Sequence, residues 1–244
     1  LAGAFGDKMD YGSLTAEDFL EGQLILIDKP LHWSSFQAVN AVKWAIRKKH
    51  NLKKIKIGHA GTLDPLATGL LIICAGKMTK QIQNYQGQTK GYTGSIQLGA
   101  TTDSYDLETE PQVVEGYQPP TAEAIEASRV SFVGMIQQQP PLFSALKKDG
   151  KRLYELARKG ETTDIPFREI EIHEFQLEPL KEDNSMDFLV RCSKGTYIRS
   201  LAHDMGQKLQ TGGYLSALRR IQIGDFHVDK AIEPLEFKKQ LGVE

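Results

Sequence analysis

The chain has 244 residues, a formal net charge of -1, 40% hydrophobic residues and 25% charged residues. That length suits one large domain or two small ones, and the balance is ordinary for a globular protein in water. No apolar run approaches a membrane span, no basic region leads into an apolar leader, and Cys74 and Cys192 lack CxxC spacing, so a cytoplasmic protein with reduced thiols is expected.

Residues 1–8 ahead of Met9 read as an expression remnant, and 1–21 as an N-terminal extension. Residues 23–28 read as a buried strand, stopped by Lys29-Pro30. Ser34 or Ser35 caps a helix that runs to about His50, with Phe36, Val39, Val42 and Ile46 as its apolar stripe. Short strands follow at 54–58 and 70–75, then a helix over 79–85. Residues 92–98 alternate as a strand, with Tyr92, Gly94 and Ile96 on one side. A helix is expected over 121–132, an irregular loop over 137–150 and a short helix over 151–159. Ile170, Ile172 and Phe175 mark a strand over 169–178, with 188–192 as its partner. Residues 196–209 form a helix with Ile198, Leu201, Met205 and Leu209 inside, and 221–228 closes as a strand. Helices and strands mix without steady βαβα alternation, which predicts an α+β fold on a mixed, mostly antiparallel sheet.

Charge is segregated along the chain. Residues 29–63 hold eight Lys or Arg and no acid, whereas 91–128 hold seven acids and no Lys or Arg. A molecule built this way has a positive face despite its neutral total, and that face suits phosphate. The same lysines would equally serve as a solvated helix face and strand edge.

The densest stretch is Gly58-His59-Ala60-Gly61-Thr62-Leu63-Asp64-Pro65-Leu66-Ala67-Thr68-Gly69. Its glycines mark unusual backbone angles or close approach, and Asp64 before proline is held extended. A carboxylate on a stiff loop suits a nucleophile or acid/base, and it also suits a common Asp-Pro turn. Gly69 to Lys77 superficially suggests a phosphate loop. Six residues separate its glycines rather than four, and Met78 follows the lysine, so it is read as a buried strand.

The string GHAGTLDPLATGLL closely resembles the signature of the TruB-type tRNA pseudouridine synthases. Three more stretches resemble that family in the same order: Leu26-Ile27-Asp28-Lys29-Pro30 with Trp33-Ser34-Ser35, then Lys90-Gly91-Tyr92, then Cys192-Ser193-Lys194-Gly195-Thr196-Tyr197-Ile198-Arg199-Ser200. The resemblance covers about 22–226. It implies the pseudouridine synthase fold, a central mixed sheet with flanking helices, as one catalytic domain over 22–244. It also implies an RNA-gripping insertion over about 137–167. Many members carry a C-terminal RNA-binding domain of the PUA type; with only about fifteen residues after the last strand, this chain is expected to depart from them in lacking it.

The implied reaction converts the T-loop uridine, position 55 in tRNA, to pseudouridine on a flipped-out base. By resemblance Asp64 is the nucleophile, Arg199 its ionic partner, and Tyr92 the aromatic that stacks on the uracil and moves the C5 proton. An arginine beside a carboxylate favours the charged form that a nucleophile requires. His59 would wedge into the RNA where the base leaves the stack, and Tyr197 would be a second pocket aromatic. Lys29 would support the pocket, and Gly61 and Leu63 join the substrate-binding residues. No cofactor and no metal are expected: the six histidines are scattered without a Cys or His at ligand spacing. The implied partner is the tRNA T stem-loop, met by a monomer without protein partners or a membrane. Two other readings stay open, a non-catalytic tRNA-folding chaperone on the same fold and a two-carboxylate glycoside hydrolase that would need Asp103 or Asp106 as its second acid.

Overall fold

The computed structural model describes residues 8–144 and 146–244, so the expectation for residues 1–8 falls almost wholly outside the described residues. The chain divides into two compact units, Leu1–Tyr92 with Arg219–Glu244, and Thr93–Leu218. The fold is α+β, a mixed, mostly antiparallel sheet with flanking helices. No helix among the described residues is long and apolar enough to cross a membrane.

In the first unit the strand Gln23–Lys29 pairs antiparallel with Ala67–Ala75, from Gln23 opposite Ala75 to Lys29 opposite Gly69. The short strand Ile57–His59 pairs with the far end of the same strand, placing His59 opposite Ile73. One parallel bridge, Ile27 to Ile232, makes the pattern mixed. The Ala67–Ala75 strand is buried on both faces, which explains its unbroken apolar run. Leu71, Ile73 and Ala75 join Val42, Ile46, Phe19 and Phe237 in one cluster. Leu70, Ile72 and Cys74 join Ile223 and Val228 in another.

The helix Ser35–His50 starts at Ser34, whose side chain and that of Gln37 form a reciprocal cap, and it stops at Asn51 in the left-handed region. Its buried face is Ala38, Val39, Val42, Ala45 and Ile46; Phe36 is 70% exposed. The spacing therefore found the helix but put one aromatic on the wrong side. Small Ala38 and Ala45 fill the inner stripe, where a ring at 36 does not point.

Four boundaries differ from the sequence reading. The strand expected at 54–58 is Ile57–His59, because its lysines lie outside the paired region. The helix expected at 79–85 is a 3-10 turn, Gly76–Gln81, followed by a short α-helix, Ile82–Gln86. The loop expected at 137–150 takes in the end of the strand Gly134–Gln138 and half of a small hairpin, Lys147–Lys148 with Lys151–Arg152. Asp149 and Gly150 turn it with φ of 51° and 79°, as a two-residue hairpin turn requires. The closing strand begins eight residues early, as Gly213–Ile223, with Phe226–His227 folding back on it. Its Ala-Leu-Arg-Arg composition hid it.

In the second unit Arg168–Leu177 pairs with Ser185–Cys192 on one side and Gly134–Gln138 on the other. Ile170, Ile172 and Phe175 are all buried although 172 and 175 differ in parity; the register shift between Ile172 and Glu174 restores the face. The helix Ile198–Lys208 buries Ile198, Leu201, Ala202 and Met205. Both cysteines are buried, and burial pushes the Cys74 thiol up to about 11.

Candidate active site

In the first unit the loop 58–69 is fixed through its backbone. Ser35 Oγ accepts from the Leu63 N–H at 2.8 Å and donates to the Leu63 carbonyl at 3.0 Å, so one hydroxyl grips the residue before Asp64 twice. The Asp64 carbonyl accepts from Ala67 N–H at 2.9 Å, closing the turn through Pro65, and Pro65 O accepts from His32 N–H at 2.7 Å. Arg220 is 2% exposed; its Nε donates to Leu70 O at 2.8 Å and its Nη2 to Gly61 O at 3.0 Å. Two glycines are obligatory here. Gly61 has φ of 110°. Gly69 has φ of 108°, and a Cβ there would meet the Arg220 carbonyl oxygen at 2.2 Å.

Asp64 is exposed on this fixed frame. Lys29 is fully buried, with Nζ donating to Pro30 O at 2.9 Å and Trp33 O at 2.6 Å. Burial pushes its ammonium down to about 8, the Asp64 carboxylate pulls the other way, and Arg220 adds to the fall. The Lys29 ammonium thus senses the Asp64 charge. His59 is held toward its neutral form by burial, opposed by the Gly61 backbone and reinforced by Arg220. Its Nδ1 is buried without a hydrogen-bond partner among the described residues. Leu63 is buried beside Asp64, and Tyr92, 7% exposed, lies in the strand Lys90–Leu98 at the end of this unit's first segment.

In the second unit Tyr197 and Arg199 sit at the start of the helix Ile198–Lys208. Buried Gln138 grips the Tyr197 backbone twice, its Nε2 donating to Tyr197 O at 3.1 Å and its Oε1 accepting from Tyr197 N–H at 2.8 Å. Arg199 is buried; its Nη1 donates to Ser104 O at 3.1 Å and its Nε lies 4.0 Å from Asp106 Oδ2. Asp106 is itself held by Ser104 Oγ at 2.6 Å and the Glu108 N–H at 2.9 Å. Next to them Tyr105, at φ of 66°, stacks on His203 with ring centres 3.8 Å apart. Burial pushes the Asp204 carboxyl up to about 6.

The structure therefore groups Lys29, His59, Gly61, Leu63 and Asp64 in one unit with Tyr92, and Tyr197 with Arg199 in the other. Ser35, Gln138, Arg219 and Arg220 were missed as functional residues, and Asp106 was considered only as a possible catalytic acid. Arg219 holds Asp28 through two bonds of 3.0 and 2.9 Å. Two adjacent arginines inside an apolar stretch were the available signal, since buried charges need partners. No group of three or more metal-ligating side chains occurs among the described residues.

Known proteins resemble this chain along nearly its whole length. Residues 47–198 match the TruB family pseudouridylate synthase (N terminal domain), and 199–241 match the tRNA pseudouridylate synthase B C-terminal domain. A tRNA pseudouridine synthase B of Flavobacterium johnsoniae is 54% identical over 93% of this chain and 100% of its own. One from Phocaeicola vulgatus is 46% identical over 92% and 95%. Among solved structures, the Cbf5-Nop10-Gar1 complex matches with a TM-score of 0.65 at 27% identity over 99% of this chain. It matches 62% of that chain, so this chain spans under two thirds of that structural relative.

Proposed function

The chain belongs to the TruB family of pseudouridylate synthases and acts in tRNA pseudouridylation, and from that premise we propose that its target is the T-loop uridine, turned out of the RNA stack and handled by Asp64 as nucleophile. The observation that carries this reading is the Asp64 loop: an exposed carboxylate on backbone gripped at Leu63 from both sides and sensed by a buried ammonium, Lys29. A nucleophile positioned this way needs no reorganisation before attack.

In the proposed reaction the bond from uracil N1 to ribose C1′ breaks, the base rotates, and C5 bonds to C1′. The C5 proton leaves to solvent and N1 takes one up, so composition and oxidation state are unchanged. Tyr92 stacks on the uracil and moves the C5 proton on to solvent. Arg199 pairs with the nucleophile, Tyr197 forms a second aromatic wall, and neutral His59 fills the place the base vacates. Gly61 and Leu63 line the base. The segment 137–167 grips the stem-loop, and its exposed Arg152 and Arg158, each over the Tyr154 ring, suit a phosphate track. The protein acts as a cytoplasmic monomer without cofactor.

Tritium at uracil C5 of an unmodified tRNA transcript should be released by the wild type and not by Asp64→Ala, with RNA binding equal in both. No release by either, with RNA still bound, would replace this reading with a non-catalytic tRNA-folding chaperone.

A further inference from the structure

Within the second unit the rings of Tyr105 and His203 lie 10° from parallel, with centres 3.8 Å apart. Neither ring belongs to the apolar core. Both residues are half-buried, while the helix Ile198–Lys208 turns Ile198, Leu201, Ala202 and Met205 inward. His203 follows Arg199 by one helical turn and shares its face. Tyr105 sits in the chain between Ser104 and Asp106, the residues that hold Arg199. The stack and the Arg199 contacts are therefore neighbouring pairs that join one turn to one helix face.

The turn over 102–109 is closed from within. Ser104 Oγ donates to Asp106 Oδ1 at 2.6 Å, Ser104 N–H to Thr109 Oγ1 at 3.0 Å, and Glu108 N–H to Asp106 Oδ1 at 2.9 Å. These bonds shape the turn without tying it to the helix. Attachment comes at Ser104 O, which accepts from Arg199 Nη1, and at Tyr105. The Tyr105 carbonyl accepts from Leu215 N–H at 2.9 Å, and its ring meets His203. The stack reaches the same helix as Arg199 without using Arg199 itself.

Both partners are held in unfavourable states. Tyr105 has φ of 66°, in the left-handed region that a tyrosine disfavours and a glycine does not. His203 buries Nδ1 without a hydrogen-bond partner among the described residues, and burial holds its imidazole toward the neutral form. Strain of this kind persists where surrounding contacts over-determine it, and it gathers at functional sites. The direction of the Arg199 guanidinium depends on groups that would move with the turn, and a misplacement of about 1 Å can cost about 10²-fold in rate.

We propose that Tyr105 and His203 are positioning residues for Arg199: their stack locks the 102–109 turn onto the helix, so that Ser104 O and the Asp106 carboxylate meet the guanidinium from one fixed direction. The proposal rests on the reading of Arg199 as the partner of the nucleophile. It predicts an effect on the chemical step and none on the surfaces that bind RNA.

The test uses the full chain and removes or keeps each ring. Tyr105→Gly removes one ring and relieves its backbone, which favours folding, whereas Tyr105→Phe keeps the ring and drops the hydroxyl. His203→Ala and His203→Phe make the same contrast from the helix, and Tyr105→Gly is also combined with His203→Ala. Single-turnover rates on tRNA transcript labelled with tritium at uracil C5, tRNA Kd and thermal melting are measured for each. The exchange of the Arg199 Nε–H with water is followed by NMR, the signal being assigned by its loss in Arg199→Lys.

Variants lacking a ring should react about 10- to 100-fold more slowly, with Kd within about twofold of wild type. The double variant should be no slower than the slower single one, because the two rings act as a unit. Both phenylalanine variants should restore the rate to within about threefold of wild type, since either keeps a ring to stack. The Arg199 Nε–H should exchange faster in Tyr105→Gly than in wild type or Tyr105→Phe. Wild-type rates in the variants lacking a ring overturn the proposal, as do losses that multiply in the double variant. A loss in Tyr105→Phe equal to that in Tyr105→Gly overturns it by assigning the role to the hydroxyl, and a fall in affinity equal to the fall in rate overturns it by making the stack general packing. Absence of turnover by wild type would instead fail the catalytic reading of Arg199, and the Nε–H exchange would still decide whether the stack positions the guanidinium.

Discussion

The two units hold their candidate site residues by opposite means. Around Asp64 the grip is on the backbone: Ser35 on Leu63, His32 on Pro65, Arg220 on Gly61 and Leu70. Around Arg199 the grip is on the functional side chain itself, through Ser104 O and the buried Asp106 carboxylate. The first arrangement fixes where an exposed carboxylate emerges from the backbone. The second fixes a guanidinium's direction and charge from behind. A nucleophile benefits from a rigid stem, whereas a buried cation must be satisfied to exist at all.

That contrast can be broken at several points. The largest effect should come from Asp64→Asn, which keeps the loop's backbone bonds but removes the nucleophile. Turnover should fall at least about 10⁴-fold with unchanged melting temperature. Comparable loss of stability and activity would mean the carboxylate serves the loop rather than the chemistry.

Next is Asp106→Ala, which removes the carboxylate 4.0 Å from the buried Arg199 guanidinium. Breaking a buried pair in this way should cost roughly 3 kcal/mol of stability, read by urea unfolding, with a parallel fall in kcat. An unchanged midpoint would show that the 4.0 Å approach of the two charges carries little. Ser35→Ala should cost less, about 1–3 kcal/mol, because two backbone groups of buried Leu63 lose one hydroxyl. Here kcat should fall more than the binding of tRNA weakens, since the loop loosens and the surfaces that meet RNA remain.

The smallest effect is a pH dependence. Folding lowers the Lys29 ammonium from 10.5 to about 8. Between those values the unfolded chain binds the proton that the folded protein releases, so stability should rise with pH across that window, and the folded state carries the full penalty below it. Lys29→Met should lack this rise in stability. Wild-type kcat/KM should fall as pH climbs through about 8, because the positive charge facing Asp64 is lost. A profile flat to pH 10 in the wild type would remove Lys29 from the site's electrostatics.

The run Gly58 to Gly69, a helix cap at Ser34 or Ser35, and a buried strand over 70–75, which the structure extends to Ala67–Ala75, were all readable in the chain. Each depends on local chemistry: glycine angles, a hydroxyl three residues from a glutamine, a continuous apolar stretch. The long strand Gly213–Ile223 was not readable, since Ala, Leu and Arg favour helices and only pairing with distant strands overrides that preference. With it went Arg219 and Arg220, whose partners Asp28, Leu70 and Gly61 lie 150 or more residues away in the chain. The bulge that carries Phe175 to the same face as Ile172 escaped for the same reason.

The sequence alone determined the α+β class, the family and the residues around which the chemistry is proposed, because those depend on residue type and short spacing. Only the tertiary structure decided what holds them: that Ser34 caps the helix while Ser35 clamps Leu63, that Phe36 faces outward, and that Asp106 backs Arg199. Those outcomes depend on which groups meet across long loops, and no local pattern encodes a hydrogen bond to a residue that far away.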